Sequence, residues 1–466
     1  MSKVRQDHAV QETDGGEFER EPVPESRTKG LRSFVGMYAG EHAAGTEFMI
    51  GPLFVTHGVS AVDVLLGLFI GNLLAVLSWT FLCAPIAVKK RLTLYYQLEK
   101  ICGARLVDLY NIANGVLFCF LAGAMIAVSA TAVGLPFNLD MPGLSDWLPT
   151  GIGWLVAVFA VGLVISIVAA KGYDMVAHVA NIAAPWMVLV FLACGVAALP
   201  QLGVHSLGDF WEVANTKVWN GVPIEGTSKF TIWHVIFFAW FCNMAMHIGM
   251  ADLSIFRFAK KARYGLASAA GMYLGHYMAW ISAGLLYAIQ LQANPADTGV
   301  APGPMAFKIA GLTGAICVIV AGWTTANPTI YRAGLAFQAI RPKWSRFRVT
   351  MVAGLIATIA GCFPAVAMKL LDFVALYGLI LMPMGAVIFI DHYFMKKLNL
   401  REFYAEEAGL SFNWAAAIAW IATLALCVGL NKFANVEIFF LGLPGWFIAA
   451  ALYIAVSKVY QKPVTA

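Results

Sequence analysis

Charged residues are scarce in this sequence. Of its 466 residues, 12% are Asp, Glu, Lys or Arg and 60% are hydrophobic, and the mean hydropathy is +0.74. A soluble domain of this size needs far more charged surface, so this composition excludes a soluble fold and indicates a polytopic membrane protein. The formal net charge is only +5, and we expect no nucleic-acid partner.

Cysteine clusters and catalytic motifs are also missing. The eight cysteines stand singly, mostly inside apolar runs, which argues against a zinc site or a disulfide framework. The sequence has no H-E-x-x-H, no G-x-S-x-G and no phosphate-binding glycine loop. We therefore expect neither an enzyme nor an organic cofactor, and active transport would have to use an ion gradient.

Apolar runs alternate with charged or Pro/Gly-rich breaks and predict an all-α membrane protein. Taking roughly 20 residues per crossing gives about twelve spans. We place them near residues 34–58, 61–86, 106–134, 151–170, 176–199, 231–253, 264–291, 307–339, 347–363, 366–391, 412–431 and 437–457.

Basic residues are nearly absent from every second loop. The 135–150 and 292–306 loops have none, and the 200–230 loop has only Lys217 and Lys229. The alternate loops are rich in them, at Lys89, Lys90, Arg91, Lys100, Arg257, Lys260, Lys261, Arg263, Arg341, Lys343, Arg346, Arg348, Lys396, Lys397 and Arg401. Because basic loops stay inside, both termini are predicted to be cytoplasmic in a multi-pass plasma (inner) membrane protein in contact with lipid.

The first span, Phe34 to Ser60, is a poor membrane helix. It contains Glu41, His42 and Glu47 in an apolar run interrupted by several glycines. One carboxylate at bilayer depth costs roughly 3 kcal/mol, and each helical glycine adds about 1 kcal/mol. We therefore expect this span to be broken near Gly40–Gly45 and to line a solute site.

The sixth span carries a second interruption, at Asn243, His247 and Gly249. Two discontinuous helices five spans apart are typical of transporters built from inverted repeats, with solute bound where the helices unwind. For His42 and His247, hydrogen bonding to a neighbouring carbonyl is the simpler alternative. For Trp233 and Trp240, the alternative is ordinary helix packing.

The eighth span contains Thr324 and Thr325 just before Asn327 and Pro328. Two hydroxyls beside a helix-breaking Asn-Pro would suit a hard monovalent cation, which prefers oxygen ligands. Back-bonding of both hydroxyls to the preceding turn is an equally good interpretation.

Several longer motifs resemble the nucleobase–cation symporter-1 family of permeases. They include HGVS before IGNLL, SIFRFAKK after span six and WTTANPTIYRAGLAF in span eight. GAVIFIDHYFMKK, with Asp391 and Tyr393, closes span ten, and FNWAAAIAW opens span eleven.

This resemblance implies a leucine-transporter-type fold of ten core helices in two inverted repeats, followed by two accessory helices. Sodium would be held by the carbonyls of Gly40, Ala43 and Ala321 and by the hydroxyls of Thr324 and Thr325. The implied organisation is a disordered cytoplasmic tail without a cleavable signal (1–30), repeat one (31–199), an extracytoplasmic loop (200–230), repeat two (231–394), a cytoplasmic loop (395–411), spans eleven and twelve (412–457) and a cytoplasmic tail (458–466).

Family members commonly stack a flat ring between a Trp in span three and a Trp in span six. Here Phe118, Phe120 and Leu121 stand at the first position and Met125 at that of a polar partner. In span six the expected position falls near Met244, one turn after Trp240.

We expect Glu41 and His42 to bind polar edges of the solute, Trp240 or Phe120 to stack on it, and Asn243 or His247 to donate hydrogen bonds. The predicted function is a cation-coupled symporter, monomeric, importing a nucleobase, hydantoin or vitamin-like heterocycle. Proton coupling through Glu41, with a non-nucleobase or cationic solute, stays open as an alternative, as does a non-transporting receptor.

Overall fold

In a computed structural model, residues 17–137, 142–143, 146–149 and 151–461 are described. This part of the chain is helical, with only two isolated β-bridges, Lys29 with Ala259 and Ser60 with Asn220. The predicted all-α class is therefore confirmed. The predicted tails lie partly outside the described residues, at 1–16 and 462–466, as does part of the 135–150 loop.

Eight helices in the described part are long and apolar enough to cross a membrane. They fall in predicted spans two, three, four, five, eight, ten, eleven and twelve, and each is named by its span. Their bounds are Ala61–Lys90, Ala104–Val133, Ile152–Ala170, Tyr173–Leu202, Pro302–Ile340, Leu370–Tyr393, Trp414–Ala434 and Ile438–Tyr460.

The other four predicted spans are short or interrupted, and the count of twelve crossings stays a prediction. Span one consists of Leu31–His42 and Glu47–Thr56, and span nine is Arg346–Gly361. Span six consists of Ile232–Phe241, Met244–His247 and Leu253–Phe256. Span seven joins a 3-10 helix, a π-helix and an α-helix at Ala262–Ala267, Ala270–Tyr277 and Met278–Ala293.

Short helices lie between the spans. Leu94–Cys102 follows span two, Leu207–Val213 follows span five, Ala365–Met368 precedes span ten, and Tyr404–Glu407 precedes span eleven. The helix after span five begins with a capping box formed by Ser206 and Asp209. Backbone N–H groups of His205 and Ser206 donate to Asp209 and lower the pKa of its carboxyl.

The outer helix faces carry many exposed large apolar side chains. Examples are Leu66, Phe69, Leu73, Val156, Phe159, Leu163, Leu189, Leu192, Val196, Leu355 and Ile359. Apolar surface this extensive is stable only when lipid covers it, which agrees with the membrane class.

Small residues bring the inner helices into close contact. Span three packs along span eight, and a Cβ at Gly322 would lie 1.8 Å from Ser129 Oγ. The second half of span one packs on span seven, and a Cβ at Gly51 would lie 2.3 Å from the Trp280 carbonyl oxygen. Glycine at both positions therefore sets how closely these helices approach.

Residues 17–30 differ from the expected disordered tail. Glu17 accepts a hydrogen bond from the Tyr331 hydroxyl (2.6 Å), Arg257 donates to the Phe18 carbonyl (2.8 Å), and Val23 is buried. Polar groups of this segment thus find partners on span eight and directly after span six. We call residues 17–30 the N-terminal segment.

The basic loops predicted to be cytoplasmic meet at one end of the molecule. They are linked by ion pairs, which include Arg20–Glu99, Lys90–Glu402, Lys100–Glu406 and Arg346–Glu19. The 200–230 loop meets the far end of span one instead, where the Ile224 N–H donates to the Thr56 carbonyl (2.9 Å). The two sets of loops thus lie at opposite ends of span one, as the charge pattern predicts.

Candidate functional site

A cavity of about 60 Å³ lies among spans one, three, six, seven, eight and ten. Its polar lining comes from Glu41, His42, Thr46, Glu47, Asn243, His276, Thr325, Thr329 and Tyr377. Its remaining lining comes from Ile50, Leu121, Met125, Cys242, Met246, Leu370, Leu371 and Val374.

The predicted break in span one is confirmed and borders this cavity. The first helix ends at His42, Ala43 leaves the helical conformation (φ −93°, ψ 56°), and the second helix begins at Glu47. Gly45 lies within the break, where a Cβ would stand 3.1 Å from the Val318 carbonyl oxygen of span eight. A helix end leaves its last carbonyls without intrahelical donors, so backbone oxygens become available beside the cavity.

The predicted interruption of span six is also confirmed. Its helix stops at Phe241, and after one turn at Met244–His247 the chain is irregular until Leu253. Met250 adopts a left-handed conformation (φ 63°) in this stretch. Span ten approaches closely here, since a Cβ at Gly385 would lie 1.7 Å from the Ile248 carbonyl oxygen.

A buried ion-pair group joins three of these spans. Arg332 of span eight donates to both carboxylate oxygens of Glu41 (2.7 and 3.3 Å) and to Asp252 of span six (2.6 Å). Asp252 also accepts from the Tyr38 hydroxyl (2.5 Å) and from Trp79 Nε1 (2.7 Å). A buried ion pair is stabilised when further hydrogen bonds satisfy its carboxylates, and these two neutral donors do so for Asp252, while Arg332 Nε has no partner among the described residues. We call Glu41, Arg332 and Asp252 the charged triad.

Reasoning from the sequence missed two members of this triad. Arg332 lies in the YRAGLAF part of span eight, and Asp252 follows the interruption of span six. Ionisable residues within spans cost free energy and usually pair with one another. The carboxylate of Glu41 therefore required a basic partner in another span, and Arg332 is a basic residue within span eight.

The second carboxylate of span one has a different environment. Glu47 accepts a hydrogen bond from Trp280 Nε1, and its Oε1 is 3.8 Å from His276 Nε2. The His276 ring stacks on Trp280 (centroids 4.3 Å apart) and meets His42 edge-on (4.9 Å). His276 was also missed, although a histidine inside the apolar run of span seven was a visible signal.

His42 lines the cavity as predicted, and one of its ring nitrogens is already hydrogen-bonded. Its Nδ1 is 2.9 Å from the Tyr38 carbonyl oxygen. A carbonyl can only accept, so Nδ1 carries the proton of the neutral ring. The Nε2 atom is then the acceptor of the His42 side chain.

Three of the predicted sodium ligands lie together on span eight, and one of them, Thr325, contacts the break in span one. The Thr325 hydroxyl is 2.9 Å from the Glu41 carbonyl oxygen and 3.0 Å from that of Ala321. The Thr324 hydroxyl is 3.1 Å from the Ala321 oxygen. These hydroxyl and carbonyl oxygens are the donors that a hard monovalent cation takes, so the residues present fit such an ion. Both hydroxyls also show the back-bonding that was the alternative interpretation.

In span one, the break exposes carbonyls next to the positions predicted for sodium. Gly40 is in the last turn of the first helix, and Ala43 caps it. The carbonyl that Thr325 contacts is that of Glu41, one residue after Gly40. The role of Gly40 and Ala43 as ligands stays a prediction.

The other predicted solute residues divide between the cavity and its surroundings. Asn243 and Met125 line the cavity, and the Asn243 amide is 3.5 Å from His276 Nε2. Phe120 does not line it: the side chain is 38% exposed and stacks on Phe373. One residue along a helix is a rotation of about 100°, so Leu121 points into the cavity and Phe120 points away.

Three predicted residues of span six also lie outside the cavity. Trp240 donates to Ser78 Oγ (3.0 Å) and stacks on Phe241, while His247 donates to the Trp240 carbonyl (2.9 Å). Met244 packs against Gly378 of span ten. For Trp240 and His247 the structure therefore agrees with the simpler alternatives of helix packing and carbonyl bonding.

Two helices broken beside one central cavity, within a bundle of apolar helices, define the architecture of secondary transporters with discontinuous helices. Three solved transporters share this fold. The structure of MHP1, a nucleobase-cation-symport-1 family transporter in a closed conformation with bromovinylhydantoin bound, matches with a TM-score of 0.72, covering 95% of both chains at 15% sequence identity.

A Na+-coupled sialic acid symporter in a substrate-bound outward-open state has a TM-score of 0.66, covering 95% of this chain and 92% of that one at 15% identity. MhsT in complex with L-phenylalanine has a TM-score of 0.57, covering 91% and 97% at 15% identity. No family model matches the sequence, and neither does any curated protein. The expected leucine-transporter-type fold is confirmed at the level of architecture.

Proposed function

We propose that the protein is a cation-coupled secondary symporter that imports a small nitrogen-rich solute by alternating access. The observation that carries this proposal is the break in span one. Its backbone carbonyl at Glu41 faces the Thr325 hydroxyl of span eight, while side chains from the same stretch line the cavity. One non-helical element thus borders both candidate sites.

The cation in this proposal is sodium, bound between spans one and eight. Its ligands are the carbonyls of Gly40, Ala43 and Ala321 with the hydroxyls of Thr324 and Thr325. Bound sodium would order the break and so complete the solute cavity. Each ligand would then tighten the other, typically by about 1–3 kcal/mol.

The proton-coupled alternative through Glu41 has less support. Its carboxylate accepts two hydrogen bonds from Arg332, and a guanidinium stays charged at any physiological pH. Both carboxylate oxygens of Glu41 are therefore already engaged by a fixed positive charge. The same pairing makes Glu41 a poor ligand for polar edges of the solute.

Alternating access requires a barrier on the cytoplasmic side, and the charged triad is a suitable one. Arg332 lies seven residues after Thr325, about 10 Å nearer the basic end of span eight. The basic loops support an assignment of this end to the cytoplasm, in a monomer of the plasma (inner) membrane with both termini inside.

Solute counterflow in proteoliposomes tests the proposal. Cytosine, adenine, hydantoin and methylguanidine would be screened with sodium and with choline replacing it. We expect exchange of at least one compound, dependent on sodium. Thr325→Ala should abolish the exchange that depends on sodium. Thr358 is another buried threonine bonded to the preceding turn, and Thr358→Ala should keep that exchange. Binding without exchange would indicate a receptor and contradict transport.

A further inference from the structure

We propose that the solute carries a cationic nitrogen group, an ammonium, amidinium or guanidinium, that binds Glu47. This inference deepens the proposed function, since it names the solute class of the same cavity. It begins from the charges around that cavity. Among the described residues, Glu41 and Glu47 line it and no Lys or Arg does.

The two carboxylates differ in what neutralises them. Glu41 is paired with Arg332, which is shared with Asp252. Glu47 is 3% exposed and, within the described part of the chain, has no Lys or Arg within ion-pair distance. Its Oε2 accepts from the neutral indole of Trp280, and its Oε1 is beyond hydrogen-bond distance from His276. A carboxyl at membrane depth is retained by a proton, by water or by a positive partner, and a cationic solute in the cavity would be that partner.

The surroundings of Glu47 suit a nitrogen cation better than a metal ion. Hard oxygen donors gather instead at Thr325 and Ala321, on the other side of the break. Near Glu47 the groups are an indole, an imidazole and the Asn243 amide, which fit directional N–H bonds and an aromatic face. The aliphatic wall of Leu121, Leu370 and Val374 would cover the apolar part of the solute.

The cavity volume limits the size of this solute. At about 60 Å³, it has room for about four waters. A compact planar cation of a few heavy atoms matches this space. A large anionic solute does not, because it would meet the unpaired Glu47 carboxylate and, among the described residues that line the cavity, no Lys or Arg.

Matched pairs of cationic and neutral compounds test the proposal on the purified full-length protein. The probes are acetamidinium against acetamide and methylguanidinium against methylurea, with thermal stabilisation as the readout. We expect the cations to stabilise the protein at about tenfold lower concentration than their neutral partners, as for charge-assisted hydrogen bonds. Glu47→Gln should remove this preference, and Glu437→Gln, at an exposed carboxylate outside the cavity, should keep it.

Several results would overturn the proposal. These are equal stabilisation by each matched pair, no stabilisation by either cation, or a Glu47→Gln variant that loses sodium binding while keeping the cation preference. If Glu47→Gln does not fold, the wild-type ratio within each pair still decides. Sodium-dependent exchange of a neutral compound alone would refute this inference and leave the proposed function intact. Binding of the cation without exchange would refute the proposed transport function and leave this inference intact.

Discussion

Glu41 and Glu47 stand six residues apart on the two sides of the break in span one, and their surroundings differ sharply. Glu41 and its partners Arg332 and Asp252 form a closed group in which every carboxylate has a positive neighbour. Among the described residues, Glu47 has one hydrogen-bond donor, the neutral indole of Trp280, and His276 Nε2 lies 3.8 Å away. Two identical side chains in one short stretch therefore have distinct physical tasks: one fastens span one to span eight, and the other is left for a ligand.

Removing the centre of the charged triad should have the largest effect. Arg332→Met leaves Glu41 and Asp252 buried without their cation, which we expect to cost about 3–5 kcal/mol of stability. Thermal unfolding in detergent measures this loss, with Arg105→Met at an exposed position as the control. An unchanged melting temperature would show that the triad does not hold the spans together.

Neutralising Glu41 should have a smaller effect in the same direction. In Glu41→Gln, Arg332 keeps Asp252 but loses a charged partner, so we expect a destabilisation of about 1–3 kcal/mol. Equal stability of this variant and the wild type would contradict the fastening role assigned to Glu41.

The corresponding change at Glu47 should act in the opposite sense. Without solute, Glu47→Gln removes an unpaired buried carboxylate, while its amide oxygen can still accept from Trp280. We expect stabilisation by about 1 kcal/mol, measured in phosphate buffer because Tris is itself an ammonium ion. A strong destabilisation would mean that Glu47 has a positive partner within the protein.

Loss of the hydroxyl between spans one and eight should cost about as much as one hydrogen bond. Thr325→Ala removes its bond to the Glu41 carbonyl, for which we expect about 1 kcal/mol. The stabilisation that sodium confers over choline should disappear with it, as thermal unfolding in the two salts will show. Persistence of that stabilisation would place the cation elsewhere.

The smallest effect is expected on the face of span three that points away from the cavity. Phe120→Ala should change solute affinity by less than about twofold, because the side chain stacks on Phe373 outside the cavity. Leu121→Ala, one residue later, enlarges the cavity wall and should weaken binding more. A larger loss of solute affinity in Phe120→Ala than in Leu121→Ala would support the stacking role that the family resemblance implies for Phe120.

Much of the fold was predictable because its signals are local. Hydropathy located the spans, and polar residues with glycines located the breaks at Ala43–Thr46 and after Phe241. The positions of Lys and Arg predicted which loops meet at the same end of the molecule. Each of these features depends on residues close together in the chain.

The site was less predictable because it depends on packing between distant residues. Glu41 and Arg332 are 291 positions apart, and nothing local pairs them. Helix rotation decided which neighbours face the cavity, so Leu121 and Asn243 line it while Phe120 and Trp240 do not. The local sequence pointed to the threonine pair and the resemblance agreed with it, but neither distinguished Glu41 from Glu47.

The N-terminal segment offers an exposed position for chemical labelling at the end of the protein where the basic loops meet. Seven of the eight cysteines are buried and Cys242 is half-buried, so thiol reagents would find few native targets. Glu21 is exposed within a segment that contacts both span six and span eight through its neighbours. A fluorophore on Glu21→Cys would therefore report separation of these two spans as a change in emission, without any need to know the transported compound.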